Sequence, residues 1–174
     1  LARLRHDNVV VTYDTGVDGD GASYRVDELA GGEPLDLMRL EDARRGSTAR
    51  QAARAIADAH THGLVHGELT SASVLVDEDG RVRLRGLRLP MPDGDDVDAI
   101  RRADIDALIN LIAGIASPSA SPLRDLASGL RRKSPTHAEA NAAALDDLPG
   151  DKHDGFAAGP ALVSAGAVAP AGDP

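Results

Sequence analysis

The chain has 174 residues, a formal net charge of −9, 42% hydrophobic and 2% aromatic residues, and no cysteine. This length suits one domain with extensions, and the lack of cysteine excludes disulfides, thiol nucleophiles and thiolate zinc sites. The scattered acids argue against nucleic acid as a partner, while the absence of a signal peptide and of any apolar run near the roughly 20 residues of a membrane span favours a cytoplasmic protein.

Apolar runs near the N-terminus predict two strands, at residues 9–13 and 23–29. Between them, Asp18-Gly19-Asp20-Gly21 has the composition of a turn, and Gly31-Gly32 marks a second turn after the second strand. With so few aromatic residues, the core of the protein must be built from Leu, Val, Ile and Ala.

The clearest helix is predicted between Ser47 and Gly63. Ser47 or Thr48 would cap its N-terminus, and Gly63 would end it. Its apolar stripe recurs at helical spacing and consists of Ala52, Ala55, Ile56 and Ala59.

The second half of the chain begins with two short strands, at 74–76 and 82–84, joined by the hairpin turn Asp77-Glu78-Asp79-Gly80. An isoleucine-rich pattern then predicts a helix over residues 97–116. Further helices are expected at 123–130 and 136–148, and disorder after Pro149.

Several of these segments carry recognisable motifs. HGELTSASVLV runs from His66 to Val76, and VRLRGLR from Val82 to Arg88. They resemble the catalytic loop H-R-D-L-K-P-x-N, the hairpin and the D-F-G turn of the eukaryotic-type serine/threonine protein kinases of prokaryotes. Upstream, four more segments resemble the same family: RHDNVV at 5–10, the strand at 23–29, GGEPL at 31–35 and AHTHGLVH at 59–66.

The resemblance covers roughly residues 1–90 and implies an α+β, protein kinase-like fold. We expect mainly the helical C-lobe with the last strands of the N-lobe and a disordered C-terminal tail. The implied division is an N-lobe remnant at 1–35, a C-lobe at 36–148 and a flexible Ala/Gly/Pro tail at 149–174. The chain contains no Gly-rich loop and no V-A-I-K-like lysine, since it starts at Leu1, just before the fourth kinase strand.

Aligned without a gap, the resemblance places His66 on the loop histidine, Glu68 on the catalytic aspartate and Ser73 on the magnesium-binding asparagine. Thr70 falls on the loop lysine and Gly86 on the aspartate of D-F-G. Phosphoryl transfer needs oxygen ligands for Mg²⁺ and a cation on the phosphates. Glu68 is one methylene too long, Ser73 offers one neutral oxygen, Thr70 carries no charge and Gly86 has no side chain. These replacements indicate impaired catalysis.

Three arginines, Arg83, Arg85 and Arg88, surround Gly86 in sequence and would repel a divalent cation. They form either a solvated strand face or an anion-binding patch. Only Leu89–Arg102 separates the D-F-G-like turn from the motif that resembles the buried kinase helix, which is too short for a peptide-substrate platform. In that helix, the resemblance gives Asp104 the structural role of tethering the catalytic loop.

By the same resemblance, Asp27, Glu28 and Leu29 lie at the hinge, where a nucleotide cofactor binds. ATP and Mg²⁺ are implied only in this way. The loop residues also have a structural interpretation without a catalytic role. In it, His66 is a structural histidine and Glu68 is a solvent-facing or capping carboxylate. A metal cluster of His60, His62, His66 and Glu68 is disfavoured, and no metal ligand is assigned.

Three hypotheses follow. The chain is a catalytically inactive pseudokinase that binds or regulates protein partners, for example a true kinase or a phosphoprotein-binding module. Alternatively, it is a divergent serine/threonine kinase in which Glu68 still positions a hydroxyl group. In the third, it is a remnant without independent activity. The segment upstream of Leu1 would discriminate between the first two, since a Gly-rich loop and a strand lysine there would restore nucleotide binding.

Overall fold

The computed structural model describes residues 6–36, 40–91, 94, 96–116, 125, 127 and 128. Within these ranges the chain forms short strands and two long helices, as the sequence predicts for an α+β protein. In chain order the elements are β1 (Thr12–Val17), β2 (Ser23–Asp27), β3 (Glu33–Pro34), α1 (Asp42–Thr61), β4 (Val74–Val76), β5 (Val82–Leu84) and α2 (Val97–Ile115).

The strands form two separate antiparallel sheets, the hairpin β1-β2 and the three-stranded sheet β3-β4-β5. The hairpin predicted at 74–76 and 82–84 is confirmed, with Val74 opposite Leu84 and Val76 opposite Val82. Strand β3 is an addition, because two residues are too few to show the alternation that reveals a strand.

The first predicted strand, at 9–13, is wrong in position. Val9 and Val10 are buried, and the Val10 amide donates to the Leu84 carbonyl at 2.9 Å, so this segment joins the main core rather than the hairpin. Strand β1 starts at Thr12 instead. The second predicted strand also ends early, at Asp27.

Helix α1 begins at Asp42, so the predicted N-cap at Ser47 or Thr48 is wrong. Both residues lie inside the helix. The Thr48 hydroxyl donates to the Arg44 carbonyl one turn earlier, and the Ser47 hydroxyl accepts from the Gln51 side chain. Hydroxyl side chains satisfied within a helix are compatible with its interior, although the sequence favours them as caps.

The C-terminal end of α1 agrees with the prediction. Gly63 follows the helix with φ +73°, the left-handed conformation that glycine adopts without a side-chain penalty. The Leu64 amide then donates to the Ala59 carbonyl at 2.9 Å. This bond satisfies a carbonyl at the helix end, and the turn at Gly63 directs the chain towards the loop at His66.

Replacing either of two glycines at this helix by alanine should change the free energy of unfolding, but in opposite directions. Gly46 lies inside α1, and a Cβ there would meet only the Arg50 guanidinium at 3.6 Å, an ordinary contact, so Gly46→Ala should raise the free energy of unfolding by about 0.5–1 kcal/mol through helix propensity. Gly63 has open space around it, but its positive φ should make Gly63→Ala destabilising by about 1 kcal/mol. Urea denaturation of both variants measures the difference. Equal signs would contradict this account.

Helix α2 matches its predicted range to within one residue. Its N-cap is Asp96, whose carboxylate accepts from the Ala99 amide at 3.0 Å. One face is buried and packs towards α1, and it contributes Ile105, Leu108, Ile109, Leu111, Ile112 and Ile115. The buried side chains of α1 are mainly small, namely Ala49, Ala52, Ala53, Ala55, Ala57 and Ala59, with Ile56. As predicted, Leu, Val, Ile and Ala make up the core cluster.

The predicted helix at 136–148 and the tail at 149–174 lie outside the described residues, as does most of the predicted helix at 123–130. Of the latter, Asp125, Ala127 and Ser128 are helical, and Ala127 is buried against the core. Within the described ranges, neither long helix combines the length and apolar character that crossing a membrane requires.

Candidate functional site

A buried carboxylate on helix α2 holds the backbone of the loop at His66. Asp104 is 1% exposed, and its two oxygens accept from the backbone amides of His66 at 2.8 Å and Gly67 at 2.7 Å. The same carboxylate lies 2.9 Å from His60 Nε2, at the end of α1. The tethering role that the resemblance implies for Asp104 is confirmed.

Asp104 is held in its ionised form. Burial alone would raise the pKa of this carboxyl group, but the hydrogen bonds from His60, His66 and Gly67 outweigh that effect and lower the pKa below its ordinary value. The charged carboxylate thus joins α1, α2 and the loop in a single hydrogen-bonded unit.

The His66 ring is engaged at both nitrogens. Nδ1 accepts from the Glu68 amide at 3.2 Å, so Nε2 must carry the proton that it donates to the Arg85 carbonyl at 2.9 Å. Burial lowers the pKa of His66 below its ordinary value, with Arg25 adding to this, while the bond to Arg85 and the charges of Asp104 and Glu68 oppose it. This neutral, fully bonded ring has the geometry of the structural histidine considered above.

The lowered pKa of His66 implies an acid-sensitive fold. Between that pKa and the ordinary value of about 6.5, the unfolded chain binds a proton that the folded chain does not. Stability should therefore decrease as pH falls below about 6.5, by at most about 1.4 kcal/mol per pH unit for this group. Urea denaturation from pH 7 to 5 should show a smaller slope for His66→Gln. An unchanged slope in this variant would assign the acid sensitivity to other groups.

Glu68 has its backbone amide on the His66 ring and an exposed side chain. A solvent-facing carboxylate is one of the two roles that the sequence allowed. The Glu68 carboxylate takes no part in the hydrogen bonds that fix His66, and it lies at the surface of the loop near the His66 ring.

Gly86 adopts φ +99°, and a Cβ built on it would lie 3.1 Å from Nε2 of His66. The positive φ disfavours any side chain, and the His66 ring occupies the adjoining space. The residue aligned with the metal-binding aspartate therefore not only lacks a carboxylate but occupies a position that disfavours one.

Ser73 ends a 3-10 turn that spans Ser71–Ser73. Its hydroxyl lies 3.3 Å from the Thr70 hydroxyl, and its carbonyl accepts from the Arg85 amide at 3.0 Å. Thr70 and Ser73, which the resemblance aligns with the loop lysine and the asparagine, are thus neutral and face each other.

The three arginines near Gly86 do not act as one group. Arg83 donates to the Glu28 carboxylate, which also accepts from the Val11 amide at 2.9 Å. A solvated strand face is therefore the wrong description of Arg83. Arg85 is exposed, whereas the Arg88 guanidinium lies beside Gly67, 3.4 Å from where a Cβ on that glycine would be.

The residues assigned to the hinge are placed differently from one another. Glu28 links the β1-β2 hairpin to β5 through Arg83, and Asp27 accepts from the Thr12 hydroxyl and pairs with Arg25. Leu29 is fully exposed. Nucleotide binding by these residues stays a prediction. The Glu28–Arg83 pair was missed in the sequence, because no local pattern links residues so far apart.

The donor set around Gly86 does not fit a magnesium ion. Mg²⁺ requires carboxylate and other oxygen ligands in near-octahedral geometry. The aligned positions supply one exposed carboxylate, at Glu68, a hydroxyl that faces Thr70, at Ser73, and no side chain at Gly86. Within the residues that the structure describes, no group of three or more His, Cys, Asp or Glu side chains is arranged to hold a metal ion.

A cleft of about 540 Å³ is lined by α2, by the start of α1 and by loop residues that include Thr70 and Ser71. Thr70 and Ser71 reach it, but His66, Glu68 and Gly86 do not. Its other walls are Leu35, Asp36, Leu40, Arg45, Leu69, Ala107, Asn110, Leu111, Gly114 and Ile115. The cleft is therefore separate from the positions aligned with the kinase metal and base.

Comparison with known proteins bears on this geometry. No family model matches the chain. The chain is 37% identical over 91 residues to the DNA damage-responsive serine/threonine-protein kinase RqkA of Deinococcus radiodurans, 32% identical over 92 residues to the serine/threonine-protein kinase PknA of Mycobacterium tuberculosis, and 30% identical over 82 residues to the serine/threonine-protein kinase PAK mbt of Drosophila melanogaster.

These matches cover 48%, 48% and 45% of this chain but only 14%, 21% and 13% of the three relatives. The chain thus corresponds to a minor part of each relative's length. The mixed α+β architecture and the tethered loop agree with that correspondence. Over about half of its length the chain is similar in sequence to serine/threonine protein kinases, and its mixed α+β architecture agrees with part of a kinase-like domain.

Proposed function

We propose that this chain is a kinase-like binding module that does not transfer phosphate. The observation that carries the proposal is Gly86, whose positive φ and contact with the His66 ring disfavour a carboxylate where the kinase alignment requires one. Without that ligand, the divalent ion that neutralises the nucleotide phosphates has no principal anchor.

Two further features support the loss of activity. Thr70 leaves the transferred phosphate without the cation that the family provides, and Ser73 contributes a single neutral oxygen. The buried tether from Asp104, by contrast, is complete. The parts that hold the loop in place are retained while the groups that carry out chemistry are replaced, which is the pattern expected of a scaffold kept for binding.

The proposal predicts the outcome of a nucleotide titration. Thermal unfolding with ATP and MgCl₂ should show no magnesium-dependent rise in melting temperature, and radiolabelled ATP should leave no phosphate on the chain or on a generic protein substrate. A magnesium-dependent shift together with phosphate incorporation that Glu68→Gln abolishes would overturn the proposal. An incorporation unaffected by Glu68→Gln would point to a contaminating kinase.

The alternative is a divergent serine/threonine kinase. The observation in its favour is the exposed Glu68 carboxylate beside His66, in a loop whose backbone is held as a catalytic loop would need. In that case Glu68 would position the attacking hydroxyl, and the metal would need ligands other than residue 86.

We further propose a cytoplasmic setting and protein partners, with the lobe boundary near residue 35. Limited proteolysis followed by mass spectrometry would test the boundary, since cleavage should concentrate between the β1-β2 hairpin and the helical part.

The third possibility, a remnant without independent stability, predicts no cooperative melt by circular dichroism. Such a result would remove the binding-module proposal as well.

A further inference from the structure

Two of the arginines near Gly86 carry a charge that their surroundings balance only in part. Arg83 binds Glu28, but its Nε is buried and donates to no group among the described residues. Arg85 is exposed, and its side chain makes no hydrogen bond or ion pair within the part of the chain that the structure describes. The exposed Glu68 of the neighbouring loop is not paired with it. Positive charge therefore remains beside Gly86.

Both arginines lie on the same face of the β4-β5 hairpin. The first and last residues of β5 are buried on one face, and alternation along the strand places Arg83 on the other. The ladder continues past β5, because the Arg85 amide donates to the Ser73 carbonyl at 3.0 Å. Arg85 thus follows Arg83 on the same face. The bond from Arg83 to Glu28 shows that this face is directed towards the β1-β2 hairpin.

A third arginine approaches the same place from the β1-β2 hairpin. Arg25 pairs with Asp27 at 2.9 Å and keeps 37% of its side chain exposed. The pKa of His66 is lowered by burial and, to a smaller extent, by the charge of Arg25, so this cation acts at the loop. Arg85 adjoins the same ring, since its carbonyl accepts from Nε2 of His66 at 2.9 Å. Cations from both sheets therefore lie near the loop.

The arginines change which ligand charge can be balanced at this place. In kinases, magnesium held by the D-F-G aspartate neutralises the phosphates of the nucleotide. The aligned Gly86 has no side chain, and the donor set around it does not fit magnesium, as described above. A guanidinium group is always charged, and it binds phosphate oxygens directly through two parallel hydrogen bonds. Arginine can thus balance phosphate charge without the ion.

The neighbouring acids favour a compact anion over an acidic protein segment. Asp27 and Glu28 pair with two of the arginines, Glu68 lies on the adjoining loop, and the whole chain has a net charge of −9. An extended acidic segment would meet these carboxylates along its length and be repelled. An oligophosphate, by contrast, places several negative charges within reach of one or two guanidinium groups.

We propose that Arg85, with Arg25 and Arg83 beside it, binds an oligophosphate anion directly and without magnesium. The ligand is a nucleoside triphosphate or an inorganic oligophosphate, which present the same chemistry to a guanidinium group. The inference rests on the proposed function, because an active kinase would need magnesium at this position. In a chain that transfers no phosphate, an absence of metal-free binding would overturn this inference alone.

Isothermal titration calorimetry of the full chain tests the proposal. In buffer with EDTA, ATP and sodium tripolyphosphate should both bind, and adenosine should give no heat of binding. Excess MgCl₂ should weaken ATP binding by at least about tenfold, because the ion takes up phosphate oxygens and no residue here holds it. Tighter binding of ATP than of tripolyphosphate would assign the site to nucleotides, and the converse to inorganic oligophosphates. ATP binding that requires magnesium, or adenosine that binds like ATP, would overturn the proposal.

Two charge-matched variants locate the site. Arg44 is exposed and donates to the Glu78 carbonyl in the turn of the β4-β5 hairpin, at the end opposite to Gly86. Arg85→Gln should weaken oligophosphate binding by at least about tenfold, whereas Arg44→Gln should change it by less than about twofold. Equal losses in both variants would show a response to net charge alone and would overturn the proposal, as would unchanged binding by Arg85→Gln.

Arg85→Lys separates the charge of the side chain from its planar geometry. Lysine keeps the positive charge but cannot form two parallel hydrogen bonds to a phosphate group. Its affinity for oligophosphate should therefore lie between those of the unaltered chain and of Arg85→Gln. If Arg85→Lys and Arg85→Gln bind equally weakly while their circular dichroism spectra match that of the unaltered chain, the planar fork carries the contact. An affinity of Arg85→Lys below that of Arg85→Gln would contradict the proposal.

Discussion

Asp104→Ala should lower the free energy of unfolding by about 3–5 kcal/mol, because it leaves buried partners of a charged group without their bond. The amides of His66 and Gly67 would lose their acceptor in the interior, and His60 Nε2 would lose its carboxylate. Chemical denaturation monitored by circular dichroism measures this loss.

Asp106→Ala is the matched control for Asp104→Ala. Asp106 lies two residues further along the same helix, but its side chain is exposed. Its removal should change stability by no more than about 0.5 kcal/mol. If the two variants unfold at similar denaturant concentrations, the carboxylate of Asp104 does not organise the loop as described above.

Gly86→Asp, which restores the carboxylate expected of a kinase, should destabilise the chain without creating activity. A non-glycine residue at φ +99° is strained, and the new Cβ would lie against the His66 ring. Together these effects should cost at least about 2 kcal/mol of stability. Denaturant unfolding and a radiolabelled phosphate-transfer assay should be run on the same preparation.

Gly19→Asp provides the control for Gly86→Asp. Gly19 lies in the exposed turn of the hairpin with no heavy atom within 4 Å of a built Cβ, so the same substitution should be nearly neutral there. A stable Gly86→Asp variant that gains magnesium-dependent phosphate transfer would show that a single residue separates this chain from an active kinase, and would contradict the strain assigned to a side chain at position 86.

The parts of the fold that could be predicted from sequence are those with a local signal. Helix α2 carries a continuous 3.6-residue pattern with an aspartate N-cap, and the β4-β5 hairpin consists of two apolar runs around an acidic turn ending in glycine. The tether at Asp104 was predicted through the family resemblance rather than from spacing, and it is correct.

Other features depend on contacts between distant residues, for which a single sequence carries no signal. The resemblance places Glu28 at the hinge, and the sequence leaves Arg83 on a solvated strand face or in an anion-binding patch, yet the two residues bind each other across the two sheets. The Gln51 side chain accepts from the Val82 amide and donates to the Gly80 carbonyl, although no local pattern links this helix position to the β4-β5 hairpin. The bonds of Gln51 position the β4-β5 hairpin on α1.

The start of α1 was misjudged for a physical reason. Ser47 and Thr48 have the composition of a cap, but the residues before them also sustain helical hydrogen bonding from Asp42 onwards. Propensity at a single position is a weak preference, and contacts of the added turn outweigh it here, since Arg44 donates to the Glu78 carbonyl and Arg45 to the Ile115 carbonyl. Boundaries inferred from caps therefore err when polar residues continue the helix.

The Glu28–Arg83 pair has a mechanical consequence. The two sheets share no strand, so the orientation of the β1-β2 hairpin depends on this ion pair and on the short crossing at Val9 and Val10. About a fifth of each charged side chain is exposed, so dissolved ions weaken the attraction. At high ionic strength the hairpin should loosen as a unit, with faster amide hydrogen exchange in β1 and β2 than in either helix.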